Sequence, residues 1–150
     1  MPMPHKGFTL IEILIAIGII AILSSIVIIA VNPARQFAQA RDSKRQSDVN
    51  AILNAVYQYA VGNNGSLPTS ITLTSTEICK DDVSCASLIN LHTSLVGATQ
   101  IYLVSIPMDP SCPTACAVNG AGYTIVRNAN GRITVSAPDA EIAVSISVTR

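Results

Sequence analysis

The sequence predicts an α+β protein in which one long N-terminal helix, apolar in its first half and amphipathic in its second, packs on a small three-stranded antiparallel β-sheet. Three observations predict it. Residues 8–31 read FTLIEILIAIGIIAILSSIVIIAV, an aliphatic run in which Glu12 is the one ionisable side chain. The stretch SDVNAILNAVYQYAVG carries apolar side chains at helical spacing. From Tyr123 onward, three successive stretches alternate apolar and polar residues with the period of a strand.

The apolar run from Phe8 to Val31 is long enough to cross a bilayer, which takes about 20 helical residues. Glu12 sits near the start of that run. A carboxylate there costs less than one at the bilayer centre, where it is charged about 2.5 to 3.5 kcal/mol, but it still needs a partner. Asn32-Pro33 should kink or interrupt the helix, because Pro33 has no N–H for the carbonyl of Ile29 and disfavours helical angles at Asn32. Beyond it, Val49, Ile52, Leu53, Val56, Tyr57 and Ala60 fall on one face. Gly62-Asn63-Asn64-Gly65 supplies a stop, with residues that tolerate left-handed angles.

The middle of the chain is more broken. Ser66 to Thr76 reads as a loop. Ser84 to Leu95 carries Ala86, Leu88, Ile89, Leu91 and Leu95 at spacings that fit a short helix, and an apolar stretch from Ile101 to Ile106 is ended by Pro107 and Pro110. In the last third, Tyr123 and Ile125 alternate with Thr124 and Val126, and a turn follows at Asn128–Gly131. Ile133 and Val135 then alternate with Thr134 and Ser136. After a turn at Pro138-Asp139, Ile142, Val144, Ile146 and Val148 make a third strand. One apolar sheet face needs a cover, and the stripe from Val49 to Ala60 is the available one.

Composition narrows the function. Nine basic and nine acidic side chains cancel and charged residues are 12% of the chain, so no basic nucleic-acid surface is expected. With the membrane-length segment set aside, the remainder suits one small domain. No paired-histidine metal motif, nucleophile elbow or phosphate loop is present, and His92 reads as a surface or loop residue, so no enzyme, cofactor or metal is expected. Four cysteines come as two close couples, Cys79 with Cys85 and Cys112 with Cys116. Three connectivities are open to them; local pairing into two small loops is expected, with a four-thiolate zinc site as the rival. Arg35, Arg41, Lys44 and Arg45 follow the apolar run and Lys6 precedes it, which by the positive-inside rule alone would keep the head in the cytoplasm. This basic stretch reads either as a solvated helical face, with Asp42 and Asp48 as partial partners, or as a contact for acidic neighbours.

The N-terminus decides between these topologies. A secretory signal peptide has an apolar core of about 7 to 15 residues and a small-residue cleavage site, whereas this run is longer and has no clean site after it. The short polar leader Met1–Gly7 carries Lys6 and ends in Gly directly before Phe8. GFTLIEILIAIGIIAIL resembles the processing site of type IV pilins and of the major pseudopilins of type II secretion: basic leader, Gly, Phe, a hydroxyl residue, Leu, an aliphatic residue, Glu, then a long apolar helix.

The resemblance implies a division into leader 1–7, transmembrane and assembly helix 8–31, and pilin-like head 32–150. It implies cleavage between Gly7 and Phe8 by a prepilin peptidase, which also methylates Phe8, with the N-terminus cytoplasmic and the head outside. Glu12 would then meet the Phe8 ammonium of a neighbour and align subunits delivered by an inner-membrane assembly platform. The implied role is the structural subunit of a pilus at the cell surface, polymerised with other pilin subunits for adhesion, twitching motility or DNA uptake. The alternative is a major pseudopilin in a periplasmic pseudopilus, and a third reading is a signal-anchored extracytoplasmic binding module. Major pseudopilins bind calcium through a C-terminal acidic cluster; here Asp139 and Glu141 read as a turn and a solvated edge instead.

Overall fold

A computed structural model of the chain describes residues 7–97 and 102–150. The expected leader up to Lys6, with His5, and the start of the apolar stretch at Ile101 lie outside the described residues. The described chain falls into two compact units, one ending at Phe37 and one running from Ala38 to Arg150.

In the first unit, helix α1 spans Leu10–Val31 and exposes every one of its side chains. Among the described residues it is the one helix long and apolar enough to cross a membrane. It ends at Asn32, whose backbone takes the left-handed conformation at φ 46°. Helix α2, Pro33–Gly62, starts at the next residue. The expected break is therefore one residue wide, and local chemistry explains it. Asparagine tolerates left-handed angles, its side-chain oxygen accepts from the amide of Arg35 at 3.3 Å, and proline is favoured at a first helical position because its missing N–H would have had no partner there. Asn32 thus ends one helix and caps the next.

In the second unit, α2 buries Val49, Ile52, Leu53 and Val56 completely. The helix stops where the sequence says it should, with the amide of Gly65 returning to the carbonyl of Ala60 at 2.7 Å and Asn64 and Gly65 both at positive φ. Facing the stripe is an antiparallel sheet of four strands in the order β1 (Thr76–Cys79), β2 (Gly120–Arg127), β3 (Ile133–Ala137), β4 (Ile146–Thr149). Ile125 pairs with Val135, and Val135 with Val148, so the alternation predicted for these strands sets the register. Tyr123, Ile125, Ile133 and Val135 are fully buried on the face that meets α2. Each buried aliphatic side chain of this kind contributes about 1.5 to 3 kcal/mol.

Three expectations are corrected. The sheet has four strands rather than three, because β1 joins its edge, pairing Thr76 with Ile125 and Cys79 with Gly120. A strand of four residues following a Ser- and Thr-rich loop has little propensity of its own; it forms because Ile78 and Cys79 find full burial on the neighbouring strand. Ser84–Leu95 is not a helix. Ile89 makes a parallel bridge to Ile78 instead, and a π-helical turn at His92–Val96 brings Leu95 and Val96 into the core. The last strand begins at Ile146, not Ile142, and the segment before it leaves Val144 fully exposed. The cause of that shortening is Asp42.

Candidate functional site

Two constellations carry chemistry, one in each unit. In the first, Gly7 and Phe8 precede α1 and are exposed, Phe8 to 85%. A Cβ added to Gly7 would meet nothing within 4 Å, so the described fold sets no requirement for glycine there. Thr9 caps α1 from an extended backbone at φ −80°, ψ 152°. Its hydroxyl accepts from the amide of Glu12 at 3.3 Å, while Glu12 Oε2 accepts from the Thr9 amide at 2.8 Å and the Thr9 hydroxyl at 2.7 Å. This reciprocal capping box satisfies donors that a helix start leaves without partners. Sequence reasoning overlooked it, although Thr9-Leu10-Ile11-Glu12 carries the Thr-x-x-Glu signature in plain form. Glu12 therefore has a local partner before any neighbour is involved.

The second constellation centres on Arg45. Its side chain is fully buried, so at this one position the solvated face offered for the basic stretch is corrected, while Arg35 and Lys44 are exposed. A guanidinium carries five N–H donors, and all five are met: Nε and one Nη2 proton go to Asp109 at 2.7 and 3.1 Å, the other Nη2 proton to Ser111 Oγ at 2.6 Å, and Nη1 to Asp42 at 2.8 Å and Glu141 at 2.9 Å. Arg41 forks onto both oxygens of Glu141 at 2.6 and 2.5 Å. Glu141 is thus an ion-paired residue, correcting its reading as a solvated edge. Asp48 pairs with Lys44 and accepts the Tyr123 hydroxyl at 2.8 Å.

Asp42 does the most for local structure. Its two oxygens accept from three successive backbone amides, Glu141 at 3.0 Å, Ile142 at 2.8 Å and Ala143 at 3.0 Å. Those amides are turned away from the sheet, and β4 can begin only after them. Burial pushes the Asp42 carboxyl upward, but the amides of Ala143, Glu141 and Ile142 and the Arg45 guanidinium outweigh it and hold it well below the usual carboxylate range. The hydrogen bonds from Arg41 and then Arg45 lower Glu141 to about 2. The bond to Asp109, above all, raises Arg45, and burial followed by the bond to Asp48 raises Tyr123. The cluster is a fully answered charge network that ties α2 to two distant segments of chain.

The sulfur atoms of Cys79 and Cys85 are bonded to each other, as are those of Cys112 and Cys116. The Cys112–Cys116 bond lies over Gly122 of β2, where an added Cβ would come within 2.5 Å of Asp109 Cβ and 2.8 Å of Cys116 Sγ. Glu77 of β1 reaches beneath the same loop to accept from the amides of Gly122 at 2.8 Å and Ala117 at 3.1 Å. His92 begins the π-helical turn, its amide donating to Asn90 Oδ1 at 2.9 Å.

The arrangement of the first constellation, an exposed Gly-Phe followed by a capped carboxylate and a naked apolar helix, finds its counterpart among known families. Residues 2–28 match the prokaryotic N-terminal methylation motif. No curated protein and no solved structure matches the chain. Over those residues the chain carries the N-terminal signature of type IV prepilins and pseudopilins, and the element order that follows is α+β.

Proposed function

We propose that this chain is a structural subunit of a type IV pilus, cut between Gly7 and Phe8, methylated on Phe8 and polymerised through α1. The observation that carries the reading is α1 itself. It is a 22-residue apolar helix with no buried side chain, entered through a carboxylate four residues after an exposed Gly-Phe. So much uncovered aliphatic surface requires a bilayer while the subunit is single and other copies of the helix once it is assembled. A membrane-anchored precursor with its head outside the cytoplasm, handed to an assembly platform in the inner membrane, meets both needs.

Gly7 supports the cleavage step. The described fold leaves room for a side chain there, so the demand for glycine falls to an outside partner, a protease cleft in which the backbone lies extended. Glu12 supports the assembly step. Both of its bonds to Thr9 use Oε2, which leaves Oε1 to accept from the Phe8 ammonium of a neighbour. A register that left this carboxylate without a cation inside an apolar bundle would be penalised, so the pair aligns subunits.

Glu12→Gln tests the proposal. The variant should insert in the membrane and fold its head as before, since removing a charge makes the helix cheaper to bury. It should fail to polymerise, or polymerise only when co-expressed with unmutated subunits. Electron microscopy of sheared surface material reads the result, and polymerisation of pure Glu12→Gln subunits at the unmutated rate would sink the alignment role. The same grids separate a surface pilus from a short periplasmic pseudopilus, the second reading that the N-terminal motif shares.

A further inference from the structure

We infer that the Cys112–Cys116 bond is a thiol-exchange site, a place where a dithiol acts on the head from outside and by doing so controls the Arg45 charge network. The two disulfides differ in access. In the first, Cys79 is fully buried within β1 and only Cys85 is partly exposed, whereas in the second Cys112 and Cys116 are both partly exposed, so either sulfur can be approached. They form part of the wall of a surface hollow of about 230 Å³, together with Lys80, Met108, Pro113 and Val118. Exchange requires a thiolate to reach a disulfide sulfur, and its rate follows access and the local charge felt by the thiolate. The hollow supplies the access, and the Lys80 ammonium on its wall attracts the thiolate. The ligand class is therefore a dithiol, such as the active-site pair of a thiol–disulfide oxidoreductase.

The chemistry balances with that one reactant. A thiolate of the dithiol attacks one sulfur, the Cys112–Cys116 bond breaks as a mixed disulfide forms, and the released cysteine sulfur takes up a proton. The second thiol of the reductant then displaces the protein. The two electrons and two protons gained by the cysteine pair come from the dithiol, which leaves as its own disulfide. Run backward, the same exchange closes the loop during maturation.

Opening the bond matters because of what the loop holds. The amide of Cys112 donates to the carbonyl of Asp109 at 3.0 Å, and the amide of Ser111 to the Asp109 carboxylate at 2.7 Å. Asp109 and Ser111 between them accept three of the five Arg45 protons. The closed loop thus presents the acceptors to a fully buried cation. Opening it lets Asp109 and Ser111 drift while Arg45 stays in place, and a buried cation that loses its acceptors is strongly destabilising.

The test uses the full chain in detergent, without denaturant, exposed to dithiothreitol and pulse-alkylated for peptide mapping. Cys112 and Cys116 should become labelled roughly tenfold faster than Cys79 and Cys85, in line with their difference in access. Lys80→Glu should slow that labelling several-fold with the head still folded. Protein opened at this bond alone should melt at a lower temperature, and in Asp109→Asn, whose network is already weakened, opening should lower it much less. If Asp109→Asn does not fold, the labelling order and melting temperature of the unmutated chain decide. The inference is overturned if Cys79 and Cys85 are labelled first or all four together, if Lys80→Glu leaves the rate unchanged, or if the selectively opened chain melts with the closed one.

Discussion

Arg45 shows how much one residue can organise when it is cut off from water. Its charge is tolerable only because each N–H has an acceptor, so the energetic question is what happens when the cation goes. Arg45→Ala would leave the Asp42, Asp109 and Glu141 carboxylates crowded without it, and should destabilise the head by about 3 to 5 kcal/mol in denaturant titration. Arg45→Lys should recover little, because an ammonium offers three donors in place of a five-pronged plane. Acid acts on the same groups. Asp42 and Glu141 titrate lower in the folded head than in the unfolded chain. Their stabilisation is therefore complete above the ordinary carboxylate range near pH 4 and is lost as the pH falls through the folded values, about 2 for Glu141. The melting temperature should be level near neutrality and drop between roughly pH 4 and 2, whereas Arg45→Ala should gain on the unmutated head over that interval as its unpaired carboxylates become neutral. Thermal melts of both proteins across this range check the sign. Part of this was legible. Asp42, Arg45, Val49 and Ile52 follow one another at helical spacing, so the basic residue extends the buried stripe. Its remaining acceptors were not, since Asp109 and Glu141 stand 64 and 96 residues further along the chain.

Elements divide by how they are held. Both helices, the turn after Gly62, β2 and β3 could be read from periodicity and punctuation, because each has a pattern longer than its local noise. The capping box that opens α1 is equally legible, since Thr-x-x-Glu stands directly before an apolar run. By contrast, β1 exists through pairing with the distant β2, and the late start of β4 follows from the grip of Asp42 on three amides. No window of sequence contains those partners. The close approach at β2 gives a test at this scale. Gly122, at φ +81°, has the disulfide and Asp109 against the place where a Cβ would go. Gly65, at φ +84°, has nothing within 4 Å. Gly65→Ala should cost only the left-handed backbone, about 1 to 2 kcal/mol. Gly122→Ala adds a clash with a cross-linked loop and should cost about 1 to 3 kcal/mol more. Urea denaturation of the two variants side by side reads the difference, and equal losses would show that the loop yields freely.

At the scale of the whole molecule, the core, the charge network and both disulfides lie within the unit from Ala38 to Arg150. A chain beginning at Ala38 should accordingly fold as a soluble monomer with two disulfides, which gel filtration, circular dichroism and thiol counting will check; aggregation or free thiols would show that the first unit is needed for folding. On the function proposed above such a head should be inert in assembly, because Gly7, Phe8, Glu12 and the apolar helix are all in the other unit. The Arg45 network also bears on the order in which the molecule is made. The ribosome delivers Arg45 long before its last acceptor, Glu141, exists, and in that interval the guanidinium must remain hydrated. The head therefore cannot lock before Glu141 has emerged. It is compelled to wait, with α1 already made, for a carboxylate 96 residues behind the arginine, so one cation sets the earliest moment at which the two distant segments can close on α2.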